Sequence, residues 1–205
     1  CAPRCVLGDD YLVVEACEYN RSFLSLKPTI CVVTNVEAEH MDSYGSLFNL
    51  KMAFMTFLKR GRYRFVSDNA STKYLTKVKD VAFVTRTDLS ISPKLKGDYN
   101  LENISLGIAV CTKLGVGTDT IIRAVNSLQG VARRYECIGK YKGRKVYIDY
   151  AHHPSEVKAF ISAFSSEYED PLIVVQPHTY SRTKFLLREF LDTLGGVKNL
   201  LIFKE

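Results

Sequence analysis

Short runs of β-branched residues, each closed by polar or turn residues, recur along this chain with helical stretches between them, and that alternation leaves few folds open. Tyr11-Leu-Val-Val-Glu15, Ile30-Cys-Val-Val-Thr34, Lys145-Val-Tyr-Ile-Asp149, Leu172-Ile-Val-Val-Gln176 and residues 200–203 read as buried strands. Residues 46–59 place Leu47, Leu50, Ala53, Phe54, Phe57 and Leu58 at helical spacing, and 101–114 repeat the pattern with Ile104, Ile108 and Cys111. Further helices are expected over 118–128, closed at Gln129-Gly130, then after Pro154 through Val157, Phe160, Ile161 and Phe164, and over 183–194. Strand, helix, strand throughout predicts α/β architecture with mostly parallel strands. Gly130-Val-Ala-Arg-Arg134 is the best boundary, because one helix ends there and a new series begins. The last strand stops two residues before the chain does, which reads as a truncated sheet.

Composition bounds the remaining classes. With 205 residues, 46% of them hydrophobic, the chain can bury one large core or two small ones. No stretch approaches the roughly 18 apolar residues of a membrane span, and Cys1–Asp10 lacks a signal peptide's basic start and apolar run, so a cytoplasmic protein is expected. Six cysteines occur without a Cys-x-x-Cys pair, which points to buried free thiols rather than a zinc site or a disulfide framework. The formal charge of +6 suits a nucleotide, and equally suits nonspecific contact with nucleic acid; charge does not choose between them. Lys59-Arg60-Gly61-Arg62 and 140–145 carry much of it and read as solvated surface.

In a parallel sheet, ligands gather at the carboxyl ends of the strands. Glu15 ends one run and is followed by Glu18, while Asn35-Val-Glu-Ala-Glu-His40-Met-Asp42 follows the next. Carboxylates with one imidazole can hold a hard divalent cation, or simply form a polar surface loop. Asp149-Tyr-Ala-His152-His153-Pro154 and Gln176-Pro-His178-Thr-Tyr-Ser-Arg182 close two later strands. Histidines at neighbouring strand ends, with an arginine nearby, make a site for anions and proton transfer; the alternative is a pair of helix-capping loops whose histidines bond to backbone.

Taken together, Val14-Glu15-Ala-Cys-Glu18-Tyr, Thr34-Asn35 through Asp42, Gly97-Asp-Tyr-Asn100-Leu-Glu-Asn103, Gly130-Val-Ala-Arg133-Arg134-Tyr-Glu136 and the two histidine motifs occur in the order seen in the Mur ligases, and the chain resembles that family over nearly its whole length. The histidine motifs are most similar to those of the family's alanine-adding branch and its close relative, the murein-peptide recycling ligase, and Glu15-Ala-Cys-Glu18-Tyr favours the former. The resemblance implies part of the central ATP-binding domain over 1–132, followed by a Rossmann-like carboxy-terminal amino-acid-binding domain, also partial, over 133–205. It implies an ATP-dependent ligase of peptidoglycan synthesis that joins L-alanine to UDP-N-acetylmuramate through an acyl phosphate, with Mg2+ as cofactor and neither nucleic acid nor membrane as partner.

By the same resemblance, Glu15 and His40 are catalytic and contact the metal, Asn100 and Asn103 meet adenine, and Arg134 and Asp149 lie near the phosphates and ribose. Arg133 competes with Arg134 for that role. Tyr150, His152, His178 and Arg182 receive the amino acid and the product. Three departures stand out. Tyr99 occupies a position where histidine is usual, Thr179 stands where many relatives carry arginine, and no glycine-rich phosphate loop precedes Glu15. Residues 65–96 look short for the strands that relatives place there. A murein-peptide recycling ligase, a folylpolyglutamate synthase relative and a noncatalytic ligase-like subunit stay open as alternatives. Whichever holds, Glu15 and His40 are expected to face one another across adjacent strand ends.

Overall fold

Backbone pairing decides which of the apolar runs become strands. The computed structural model describes residues 10–95 and 97–203, which divide into two units: 10–92 with Leu101–Asn126, and 93–95, 97–100 and 127–203. In the first unit, Ile30–Val33 forms β1, Met41–Tyr44 one helical turn (α1), Leu47–Arg60 the helix α2, Tyr63–Ser67 β2 and Val81–Val84 β3. The three strands make a parallel sheet in the order β1-β2-β3, with Ile30 opposite Tyr63 and Arg64 opposite Val81. Asp98–Lys113 (α3) and Thr118–Ser127 (α4) follow.

α2 starts where Ser46 accepts a hydrogen bond from the Asn49 N–H at 3.2 Å. Lys59 and Arg60 occupy its last turn, where the helix dipole favours cations. Its apolar face, Leu50, Ala53, Phe57 and Leu58, is buried with Cys31, Val33, Val66, Leu75 and Val78, and Phe23 stacks on Phe57 with ring centroids 5.0 Å apart. Burial pushes the Cys31 thiol up to about 11, as expected of an inert structural cysteine. Cys17 and Cys137 are exposed instead, Cys111 is half-buried, and Cys1 and Cys5 lie outside the described residues.

Two sequence expectations need correction here. Tyr11–Glu15 is not a strand: it has no ladder partner among the described residues, and Leu12 and Val13 are 89% and 93% exposed. β-branched composition gives a segment the capacity to pair, but only a neighbour satisfies its N–H and C=O groups. Conversely, 65–96, which look short for strands, hold the end of β2 and all of β3.

In the second unit, Glu136–Tyr141 (β4) and Arg144–Ile148 (β5) form an antiparallel hairpin around Lys142 and Gly143, whose φ values of 48° and 80° are those of the two-residue turn that matches strand twist. The expected strand at 145–149 is therefore part of an antiparallel pair rather than a parallel sheet. Pro154–Glu167 is α5, Ile173–Val175 β6, Tyr180–Phe185 α6, Leu187–Leu194 α7 and Leu200–Ile202 β7. β6 and β7 are parallel. The single helix expected over 183–194 is two, starting earlier and broken at Leu186. Val157, Leu186, Phe190 and Leu194 form the core of this unit, and Tyr135, Tyr147, Phe160, Phe164 and Tyr168 a second, aromatic cluster.

Leu58 is fully buried, and a Cβ added at Gly61 would sit 2.7 Å from Cys31 Sγ and 3.0 Å from the Tyr63 carbonyl oxygen. Leu58→Ala should lower the unfolding free energy of this unit by about 2–5 kcal/mol. Gly61→Ala should cost about 1–3 kcal/mol by overpacking. Urea denaturation measures both, and an unmoved midpoint in Leu58→Ala would contradict the packing of α2 on the sheet.

Candidate functional site

Asp149 follows β5, and its side chain is only 6% exposed. Its Oδ2 accepts the Tyr135 N–H and its Oδ1 the Ala151 N–H, each at 2.8 Å. Burial pushes the carboxyl above the usual carboxylate range, while those two N–H bonds and Arg134 pull it down and Glu156 adds to the rise. Arg134 places one guanidinium nitrogen 3.9 Å from Asp149 and 3.8 Å from Glu156. Arg133, its competitor in the sequence, is exposed with φ at 60°.

Tyr99 lies close enough for its phenol to feel Asp149 and Arg134. Burial raises its pKa, Asp149 adds to the rise and Arg134 opposes it. Its ring packs against Gly97, where φ is 92° and an added Cβ would come within 2.6 Å of the ring. Asn100 is buried in the first turn of α3, and Asn103, one turn further on, is exposed.

The two histidine motifs come together, although β5 and β6 belong to different sheets, and the capping alternative also holds in part, since His153 caps α5 and His152 bonds to backbone. His152 Nδ1 lies 2.8 Å from the Tyr150 carbonyl oxygen, and the Tyr150 and His152 rings touch edge to face at 5.0 Å. The His152 and His178 rings are 6.4 Å apart at 82°, and Arg182 donates to the His178 carbonyl at 3.4 Å. Tyr150, His152, His178 and Arg182 thus share one neighbourhood, with Tyr150 and His178 open to solvent. Sequence reasoning missed Glu156. Its Oε2 accepts the N–H of His152 at 3.0 Å and of His153 at 3.3 Å. The signal was present as His153-Pro-Ser-Glu156, the spacing of a capping box, with histidine in the cap position usually held by serine or threonine.

In the first unit His40 precedes α1 in a left-handed conformation, φ 54°. Its Nε2 is 3.1 Å from Glu18 and 3.9 Å from Glu39, and one ligand atom from each of the three residues lies within 4.8 Å of the others. Two carboxylates and an imidazole that close together fit a divalent cation. Glu15 is exposed in the extended run and outside this group. Elsewhere in the unit a groove of about 640 Å³, lined by Arg62, Tyr63, Arg64, Phe65, Asp80, Ala82 and Lys113, contains none of the expected site residues. Among the described residues no helix is long and apolar enough to cross a membrane.

Residues 133–205 match the family described as Mur ligase, glutamate ligase domain. A UDP-N-acetylmuramate–L-alanine ligase of Acetivibrio thermocellus is 36% identical over 95% of this chain and 49% of its own length. Among solved structures, the UDP-N-acetylmuramate–alanine ligase of Thermotoga maritima aligns with a TM-score of 0.66 at 20% identity, covering 90% of this chain and 53% of that one. A pseudomurein peptide ligase type C from Methanothermus fervidus gives 0.70 at 16%, covering 91% and 54%. At those identities the structures speak for the fold alone. The chain spans about half the length of the curated relatives it matches. By sequence along nearly all of its residues, and by fold, this chain belongs to the Mur ligase family.

Proposed function

We propose that this chain supplies the later part of a central ATP-binding domain, over 1–132, and an amino-acid-binding domain, over 133–205, to a cytoplasmic ligase that joins L-alanine to UDP-N-acetylmuramate in peptidoglycan synthesis. The observation that carries this reading is the 36% identity, along 95% of the chain, to a ligase named for those two substrates. In this chemistry the muramate carboxylate attacks the terminal phosphate of ATP, and the amino group then displaces phosphate from the acyl phosphate. Both steps need charge neutralised and partners oriented.

The second unit's residues divide that work. Asn100 offers donor and acceptor together to adenine, the role also proposed for Asn103, which belongs to the first unit. Asp149, buried and already accepting two N–H bonds, is a fixed acceptor for a ribose hydroxyl, and Arg134 beside it presents positive charge to phosphate. Arg182, held near His178, receives the amino-acid carboxylate through its planar fork. Tyr150, His152 and His178 form the wall around the amine. In the first unit, His40 is the proposed metal contact together with Glu18, 3.1 Å away, and Glu39; Glu15, which lies outside that group, stays a proposed contact on the family resemblance alone. Bound there, Mg2+ would neutralise phosphate charge.

Purified as these 205 residues, the chain should form no product from ATP, Mg2+, UDP-N-acetylmuramate and L-alanine, because they contain no glycine-rich loop to cradle the triphosphate. Product that scales with the chain and vanishes in Glu15→Ala would overturn that. In a full-length ligase reconstituted around this chain, Arg182→Lys should weaken apparent L-alanine binding by about tenfold while ATP binding changes little; equal effects on both would count against the assignment. With Mn2+ as the probe, His40→Ala and Glu18→Ala should each cut the chain's metal affinity by about tenfold or more. Unchanged affinity in Glu15→Ala would remove Glu15 from the metal set.

A further inference from the structure

Glu156 does more than a helix cap requires. Capping α5 needs one bond from its carboxylate to the His153 N–H, which it makes at 3.3 Å. The same Oε2 also accepts the His152 N–H at 3.0 Å and stands 3.5 Å from His152 Nδ1, while Oε1 faces Arg134 at 3.8 Å. Nδ1 itself lies 2.8 Å from the Tyr150 carbonyl oxygen. Both oxygens facing Nδ1, one from a carbonyl and one from a carboxylate, can only accept. Nδ1 must therefore carry the proton, and in the neutral ring the lone pair belongs to Nε2.

We propose that Glu156 is a positioning residue which, with the Tyr150 carbonyl, holds His152 as its Nδ1–H tautomer, so that Nε2 is the proton acceptor for the incoming ammonium group. The identity of that ammonium group rests on the ligase reading above. In the step, the ammonium N–H bond breaks, its electron pair stays on nitrogen and the proton passes to Nε2. The neutral amine then attacks the acyl carbon and phosphate leaves with the bonding pair. Glu156 and the Tyr150 carbonyl face the imidazolium that results, which favours the transfer. The same carboxylate, with Asp149, fixes Arg134, so one side chain sets both the expected phosphate contact and the expected base.

The test is the side-chain ¹⁵N spectrum of histidine in this chain, recorded well above an ordinary imidazole pKa of about 6.5. His152→Gln identifies the His152 signals among the chain's four histidines. The native chain should give the Nδ1–H pattern. Glu156→Gln keeps an oxygen in this place, for the backbone N–H groups and for Nδ1, but removes the carboxylate's charge and so weakens it as an acceptor. It should lower the ratio of Nδ1–H to Nε2–H forms about threefold or more, with the thermal midpoint little changed. Glu156→Ala should lose the cap as well and melt earlier. Where ligation is measured, Glu156→Gln should lower kcat with little effect on KM for L-alanine. A native Nε2–H tautomer, or a ratio unmoved by Glu156→Gln, overturns the proposal. The spectrum needs no ATP or amino acid, so a failure of the ligase reading would appear in the ligation assay and leave these signals as expected.

Discussion

The buried carboxylate of Asp149 is the interaction on which the second unit's site depends. Its two oxygens bind the N–H of Tyr135, just before β4, and of Ala151, just after β5, so one side chain closes the hairpin at the end away from its turn. Tyr135 then enters the aromatic cluster, with its ring 5.5 Å from Tyr147 and 5.6 Å from Phe160 on α5. Burying a charge there is unfavourable, and the raised pKa expresses it. By linkage, this group stabilises the folded unit most fully when protonated, and its contribution falls as pH rises through the raised value. Arg134 and the two N–H bonds offset part of that cost, and a polar edge results beside an apolar cluster.

The first unit reaches a comparable result through loops rather than a hairpin. The Asn69 side chain donates to the Thr34 carbonyl at 2.9 Å, and the Val36 N–H donates to Ser71 Oγ at 3.0 Å. Thr72, wholly buried, turns its hydroxyl back to Ser67 and Asn69. The segments leaving β1 and β2 are thereby tied together at the carboxyl end of the sheet. That tie fixes the start of the stretch leading to His40, and Tyr44, buried with its hydroxyl on the Glu18 carbonyl, fixes the other side. His40 and Glu18 meet because each is anchored independently to the same core.

Periodic segments were legible in the sequence because their signal is local. α2 carries an apolar face, a serine cap and basic residues in its last turn, and each cue agrees with the others. Tyr11–Glu15 misled for the opposite reason, since its strand character depends on a partner that no local pattern reveals. The hairpin was hidden because β5 was read as a strand but its partner β4 was not: Glu136, Gly139 and Lys140 dilute the apolar signal of a strand exposed along nearly all its length. Of the site, the histidine neighbourhood was legible as motifs placed at strand ends. The pairing of His40 with Glu18 was not, because the backbone turns through Asn20 and Arg21, both at positive φ, before the chain returns. Glu156 escaped notice because a glutamate after proline at a helix start looks like a cap and nothing more.

Two of the non-glycine residues with positive φ stand among the candidate site residues. His40 at 54° and Thr179 at 66° both stand between a strand and the helix that follows it. For a β-branched threonine this is an outlier, and such conformations cost about 1–3 kcal/mol each. Local bonds hold Thr179 in place: its carbonyl accepts both the Thr183 N–H at 3.1 Å and the Thr183 hydroxyl at 3.0 Å. The bend turns the chain sharply after His178 and lets α6 begin at once, which brings Arg182 back to the His178 carbonyl. A relaxed threonine would extend the loop and carry Arg182 away from the histidines. The bend at Thr179 therefore places the guanidinium beside the His178 carbonyl.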